Sequence, residues 1–315
     1  MASVRARVFL SFLLFVCGSG LAAPAAAEDC QLKQLADVTL TVSKQGNVLV
    51  PVQVEGMQLK FALSMDSLAS SIVPGIANQL SVPRAMTPRN ISIEFGGIRA
   101  AENITPQVTI GSATGPAVLV VIPQTFNMDP EADGYLAFDI LKNFDVEVNL
   151  SKNEMKLFSP AHCPGKVIYW TQSAAVAVMP IVVRNRFGFI FPMELDGQLV
   201  EAAPIFSTDI AKLSSLVADQ VYGVKGQTSH VFDSLAADGL AISHPHLDIY
   251  EDDTNGECRG NIRQNGMKLF NETDRRLGMC FGPPELMLGR SEMAALRMYF
   301  AFSERKIYAT AANAQ

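Results

Sequence analysis

The sequence predicts a mainly β protein of two similar lobes, and three observations carry that expectation. Short alternating apolar runs dominate, few segments hold a helical period, and the chain matches itself at two fixed offsets.

Taken in order, residues 1–27 read as a secretory signal. Arg5 and Arg7 form a charged start, Val8 to Val16 an apolar run, and Ala25-Ala26-Ala27 the small residues of a cleavage site. The apolar run is too short to span a hydrocarbon core of roughly 30 Å. No later stretch has the length or hydropathy of a membrane helix, so an exported chain, periplasmic or secreted, is expected. Removing residues 1–27 takes away two arginines and no acid, leaving 23 basic against 31 acidic residues, a formal charge of −8. This balance argues against nucleic acid or an anionic membrane surface as the main partner. About 288 residues remain, enough for two ordinary domains.

Four cysteines fall after the signal: Cys30, Cys163, Cys258 and Cys280. An even count in an exported chain favours disulfides. Three pairings are possible; Cys30–Cys163 with Cys258–Cys280 keeps each bridge within one half of the chain and is favoured. No Cys-x-x-Cys spacing suggests a zinc or redox centre.

Val48 to Val54 is apolar and β-branched, Glu55-Gly56 makes a turn, and Gln58 to Met65 continues as a second strand. Ile91 to Phe95, Gln107 to Ile110 and Val118 to Ile122 are further strand candidates. Ser71 to Leu80 and Ile210 to Val221 carry the best helical periods.

The repeat is the stronger signal. Val50-Pro51-Val52-Gln53-Val54-Glu55-Gly56 matches Phe191-Pro192-Met193-Glu194-Leu195-Asp196-Gly197 at an offset of 141 residues. At an offset of 152, Leu136-Ala137 meets Leu288-Gly289, Val146, Val148 and Leu150 meet Met298, Phe300 and Phe302, and the hairpin at Ser151 meets the one at Ser303. The alternation in both copies is that of a half-buried strand. The expected division is an N-terminal lobe over 28–160, a linker over 161–180 and a C-terminal lobe over 181–315. The last carries a polar, Gly-rich insertion at 251–284, read as a disulfide-tied surface loop.

In order along the chain, the hairpin Pro51 to Gly56, the segment Asp133-Gly134-Tyr135-Leu136-Ala137-Phe138-Asp139-Ile140-Leu141, the linker His162 to Trp170 and the closing Glu304-Arg305-Lys306-Ile307-Tyr308 together resemble the bacterial exported tandem retropepsin-like proteins, relatives of pepsin. The resemblance covers nearly all of the chain after the signal. It implies two pseudo-symmetric lobes facing a central cleft that holds an extended peptide or protein segment. It also implies one Asp-Thr/Ser-Gly loop per lobe, since two adjacent carboxylates share a proton and work as acid and base on a peptide bond. It implies no cofactor.

In that family the aspartate falls about eight residues after the hairpin glycine. Here those positions read Ser64-Met65-Asp66 and Ile205-Phe206-Ser207. The expected carboxylates are replaced by Ser64 and Ile205, and Met65 and Phe206 stand where the small hydroxyl residue belongs. The expectation is therefore a proteolytically inactive homologue. The alternative is an atypical endopeptidase using Asp66 and Asp209. It needs shifts of two and four residues, and a two-residue shift alone moves a carboxylate about 6–7 Å along a strand. The family also places Gly after two apolar residues beneath the loop; Leu288-Gly289 keeps it and Leu136-Ala137 does not.

Other constellations are weaker. His244 and His246 lack an anchored third ligand, so no metal is expected. Ser64 and Ser207 sit in no Gly-x-Ser-x-Gly elbow. Gly96-Gly97 reads as a hairpin turn where a family flap would lie.

Overall fold

The computed structural model describes residues 31–88, 93–172, 175–184, 188–251, 263–264, 267–268 and 284–314. The signal segment 1–27, Cys30, Cys258, Cys280 and most of the 251–284 insertion lie outside the described residues. So does the favoured pairing of the cysteines.

The protein is mainly β, with a ten-stranded sheet in the first half, a nine-stranded sheet in the second and a six-stranded sheet built from both. Each half begins with the hairpin that the repeat anticipates, Val48–Val54 with Met57–Ser64 and Phe189–Leu195 with Gln198–Pro204. Both turn on two residues with positive φ, Glu55-Gly56 and Asp196-Gly197. That backbone matches the right-handed twist of the flanking strands, and the glycine accepts it without strain. Pro51 and Pro192 sit at equivalent points of the first strands. Neighbours other than the hairpin partner pair with these strands only nearer the ends, so the missing N–H breaks no ladder there.

The inner strand of each hairpin lies beside a short parallel strand, Gly134–Ala137 in the first half and Leu286–Leu288 in the second. A short helix follows each, α2 (Phe138–Leu141) and α4 (Arg290–Ala294). The segments expected to be wholly helical divide instead. Ser71–Ile72 and Lys212–Ser214 are strands, and helices begin only at α1 (Pro74–Gln79) and α3 (Ser215–Tyr222). Pro74 fits the first turn of a helix, where its missing N–H is not needed. The Ser214 side chain accepts the Val217 N–H and so caps α3. The strand residues before each helix are recruited by distant partners, Ser71–Ile72 by Val120–Val121 and Lys212–Ser214 by Asp248–Tyr250.

The six-stranded sheet joins the halves. Its order is Gln34–Thr39, Glu154–Phe158, Asp145–Asn149, Leu296–Ala301, Lys306–Ala311, Ala177–Pro180. At the centre Glu147 pairs with Tyr299, which is its own counterpart at the offset of 152. A residue that faces its repeat equivalent marks the local twofold axis. The outer pairs obey the same operator, since Val38 opposite Met155 corresponds to Met179 opposite Ile307. Ala177–Pro180, at the end of the expected linker, is thus an edge strand of this sheet.

One face of the sheet belongs to the main core, through Val146, Val148, Met298, Phe300, Ile307 and Ala309. The other carries Asp145, Glu147, Arg297 and Tyr299 and is covered by residues 162–170. There Tyr169 donates to Glu147, Arg297 donates to Glu147 at 2.6 Å, and the Trp170 indole donates to Thr310. The Arg297 guanidinium also lies 4.2 Å from the Trp170 ring centroid. His162, nearly solvent-free, bonds Asp145 and approaches Glu304 at 3.8 Å.

Candidate functional site

Ser64 and Ile205 occupy equivalent positions at the ends of the two inner strands. Ser64 closes Met57–Ser64 opposite Ala137 of the parallel strand. Ile205 directly follows Gln198–Pro204, and its N–H donates to the Leu288 carbonyl at 3.0 Å. Neither position holds a carboxylate.

The next residue of each loop, Met65 or Phe206, is almost wholly buried, at 0% and 1% exposure. Each loop is tied by backbone to the first strand region of the opposite half. The Gly188 N–H donates to the Asp66 carbonyl at 2.9 Å, and the Val48 N–H donates to the Phe206 carbonyl at 3.4 Å. A Cβ at Gly188 would collide with the Met65 carbonyl oxygen, so only glycine allows this approach. Main-chain bonds and apolar packing therefore hold the loops together across the lobes.

Beneath the loops the symmetry persists in backbone and diverges in side chains. The Phe138 N–H donates to the Ser67 carbonyl, as the Arg290 N–H does to Thr208. Asp139 of α2 accepts both the N–H and the hydroxyl of Ser70, and Ser70 in turn accepts the Ala137 N–H. Ser70 corresponds to Ala211, whose N–H donates to Glu292 of α4 at 3.0 Å. Burial pushes both carboxyls above the usual range, opposed by the hydrogen bonds from Ser70 to Asp139 and from Ala211 to Glu292.

The two acids of the alternative dyad sit in different surroundings. Asp66 is half-buried and accepts the Ser64 hydroxyl at 2.9 Å; Ser64 also bonds Ser67 at 2.7 Å. Burial raises the Asp66 carboxyl, and the Ser64 hydrogen bond only partly offsets it. Asp209 is 68% exposed and pairs with Arg290 at 3.1 Å. The repeat operator carries Asp66 to Ser207 and Asp209 to Leu68, so the two acids are not symmetry mates. The hydrogen bonds and ion pairs formed by the two carboxylates do not join them.

A set of aromatic residues beside Ser64 escapes sequence reading. Tyr135 lies opposite Ala62 and one strand repeat from the Ala137–Ser64 pair, so it shares their face of the sheet. Its ring stacks on Phe95 at 6.4 Å between centroids, and Phe95 packs on Phe126 at 5.5 Å. Phe95 comes from the two-stranded hairpin Glu94–Phe95 with Ile98–Arg99, whose turn is Gly96-Gly97. That hairpin was legible in its glycines; of the expected strand Ile91 to Phe95, residues 91–92 lie outside the described residues and Glu94–Phe95 is paired. Burial, together with the charges of Asp129 and Asp66, raises the Tyr135 phenol.

His244 stands at a left-handed bend and His246 opens the strand His246–Tyr250, so the two do not share one strand. Among the described residues no group of three His, Cys, Asp or Glu side chains is arranged to hold a metal. None of their helices is long and apolar enough to cross a membrane.

No protein-family model matches the chain, and no curated protein matches it. Among solved structures it is similar to basic 7S globulin from soybean. The TM-score is 0.52 at 10% identity, over 90% of this chain and 96% of that one. At that identity the likeness speaks for fold alone: this chain has the two-lobed, pepsin-like β architecture.

Proposed function

We propose that this is an exported, pepsin-like protein that does not cleave peptides and instead holds an extended peptide or protein segment between its lobes. The observation that carries this reading is the pair Ser64 and Ile205. They stand at the equivalent strand ends where the aspartic mechanism needs two carboxylates sharing a proton. A serine hydroxyl and a buried isoleucine cannot share a proton in that way. The strands and loops around them retain their backbone hydrogen bonds, which supports retention of a peptide-binding frame without the chemistry.

A second reading has one observation in its favour. Asp66 is a carboxyl held above its ordinary range beside Ser64, as an acid catalyst requires. It calls for Asp209 as the partner, yet Asp209 is engaged with Arg290.

One experiment separates the two. The purified protein is incubated with a mixed peptide library between about pH 3 and 7, where a shared-proton dyad works. Mass spectrometry scores both cleavage and retention, alongside Asp66→Ala and Asp209→Ala. Retention of selected peptides without cleavage is the expected result. Cleavage abolished by either substitution would overturn the proposal.

A further inference from the structure

The sequence elements that meet on the Ser64 face of the first lobe are far apart in the chain. They assemble a surface with a definite chemistry. Phe95 arrives on its hairpin, Phe126 from the loop before the parallel strand, and Tyr135 from that strand itself. All three rings are half-buried, so each keeps part of its surface open. A Cβ on Gly96 would lie 3.3 Å from the Phe126 ring, so this glycine lets the hairpin turn close down on the aromatic group.

Two carboxylates, Asp129 and Asp66, are close enough to Tyr135 for their charges to help raise its phenol, and their hydrogen bonding differs. Asp129 is buried and accepts the Ser43 hydroxyl, the Asn47 amide and the Glu131 N–H. Burial acts to raise its carboxyl, but these bonds together hold it below its ordinary range. Among the described residues, the Asp66 carboxylate accepts only the Ser64 hydroxyl on one oxygen and its own backbone N–H. No described lysine or arginine pairs with it. A half-buried carboxylate with so few donors is poorly stabilised as an anion, and it gains most from a cation brought to it. Aromatic faces attract the same cation through their quadrupoles and accept its aliphatic stem by contact.

We propose that this half of the cleft takes a cationic side chain, lysine or arginine, of the bound segment, with its stem against Phe95, Phe126 and Tyr135 and its charge on Asp66. The assignment rests on the peptide-holding reading above and adds the chemical class of residue that the cleft selects. Asp66 is here a recognition group, which accounts for a carboxyl placed beside the strand end in a lobe whose symmetry mate carries Ser207.

The test uses the purified exported protein and four hexapeptide pools. Each has five randomised positions and one fixed residue: lysine, arginine, norleucine or glutamate. Norleucine keeps the lysine stem without the charge. Retention of the lysine and arginine pools about tenfold above norleucine, with glutamate lowest, is expected. Asp66→Asn should reduce the two cationic pools to the norleucine level while leaving norleucine unchanged. Tyr135→Leu should weaken the cationic pools by several-fold. An unchanged norleucine signal shows that Asp66→Asn is folded, and far-UV circular dichroism shows the same for Tyr135→Leu, whose lost ring also contacts the norleucine stem. Equal retention of all four pools would overturn the cationic assignment and leave the cleft reading standing. Retention of no pool would overturn both.

Discussion

The two lobes share a backbone and differ in chemistry at almost every equivalent position near the cleft. Ser64 corresponds to Ile205, Ala137 to Gly289, and Ser70 to Ala211, whose acceptors Asp139 and Glu292 stand one position apart in the repeat. On the covered face of the central sheet, Asp145 corresponds to Arg297. Where the main chain alone does a job, as in the paired loop ties to Ser67 and Thr208, both copies keep it. Where a side chain does it, each lobe has found its own solution. The fold thus rests on backbone hydrogen bonds and apolar periodicity, which leave the side chains at equivalent positions free to differ.

The largest expected effect tests the charged side of the central sheet. Arg297 is buried, bonded to Glu147 and stacked on Trp170. Arg297→Met leaves Glu147 as an uncompensated buried charge and should cost about 3–5 kcal/mol. Adding Glu147→Met should restore much of that loss, because no charge is then stranded. Urea denaturation of the single and double variants reads both, and equal stability of the two would refute the coupling.

Next comes the glycine that only one lobe keeps. A Cβ at Gly289 would lie 2.5–2.6 Å from backbone atoms of Asp209, Ile210 and Ala211. Gly289→Ala should therefore destabilise by about 2–3 kcal/mol, as overpacking against main chain does. The first lobe already accommodates the methyl group at the fully buried Ala137, so Ala137→Gly should cost about 1 kcal/mol through lost burial and added chain entropy. Similar losses from the two changes would mean that the lobes pack alike here.

A pH series separates the acids from His162. Burial raises the folded pKa of Asp139 and of Glu292, so the native state binds those protons more tightly than the unfolded chain. Their contribution is fully present below the ordinary carboxyl range and is lost as pH rises through the raised values. His162 is also raised: burial opposes protonation, but Asp145, the Cys163 carbonyl and Glu304 outweigh it. Its contribution is complete below the ordinary imidazole range near pH 6.5 and fades as pH climbs through the raised folded value. Asp139→Asn should flatten the acidic limb of a stability–pH curve and His162→Gln the limb above neutrality. A curve unchanged by His162→Gln would remove His162 from the account.

Much of this architecture was written in local pattern. Glu55-Gly56 and Asp196-Gly197 announced their hairpins, and the offset of 152 aligned the two strands that the structure pairs about Glu147 and Tyr299. Long-range pairing left no such mark. Ser71–Ile72 and Lys212–Ser214 carry a helical period in sequence, yet distant strands draw them into sheets. Asp145, Glu147 and Asn149 alternate like a solvent-facing edge, and only the covering residues 162–170 reveal them as buried. The aromatic group at Phe95, Phe126 and Tyr135 is invisible in sequence for the same reason, since three separate segments build it.

The smallest expected effect is the sharpest test of whether Asp66 and Asp209 act together. Asp209 is largely exposed although its partner Arg290 is partly buried, so Asp209→Asn should change stability by less than about 1 kcal/mol. In a shared-proton dyad the consequence would instead be electrical. Removing one charge would lower the other pKa, because two adjacent carboxylates oppose each other's ionisation. Burial, not a neighbouring acid, is the main cause of the raised Asp66 carboxyl. Its titration, followed by NMR of the side-chain carboxyl carbon, should therefore be the same with Asp209 or with asparagine at that position. A fall of a full pKa unit in Asp209→Asn would show that the second lobe still reaches the first through charge, and would reopen the catalytic reading.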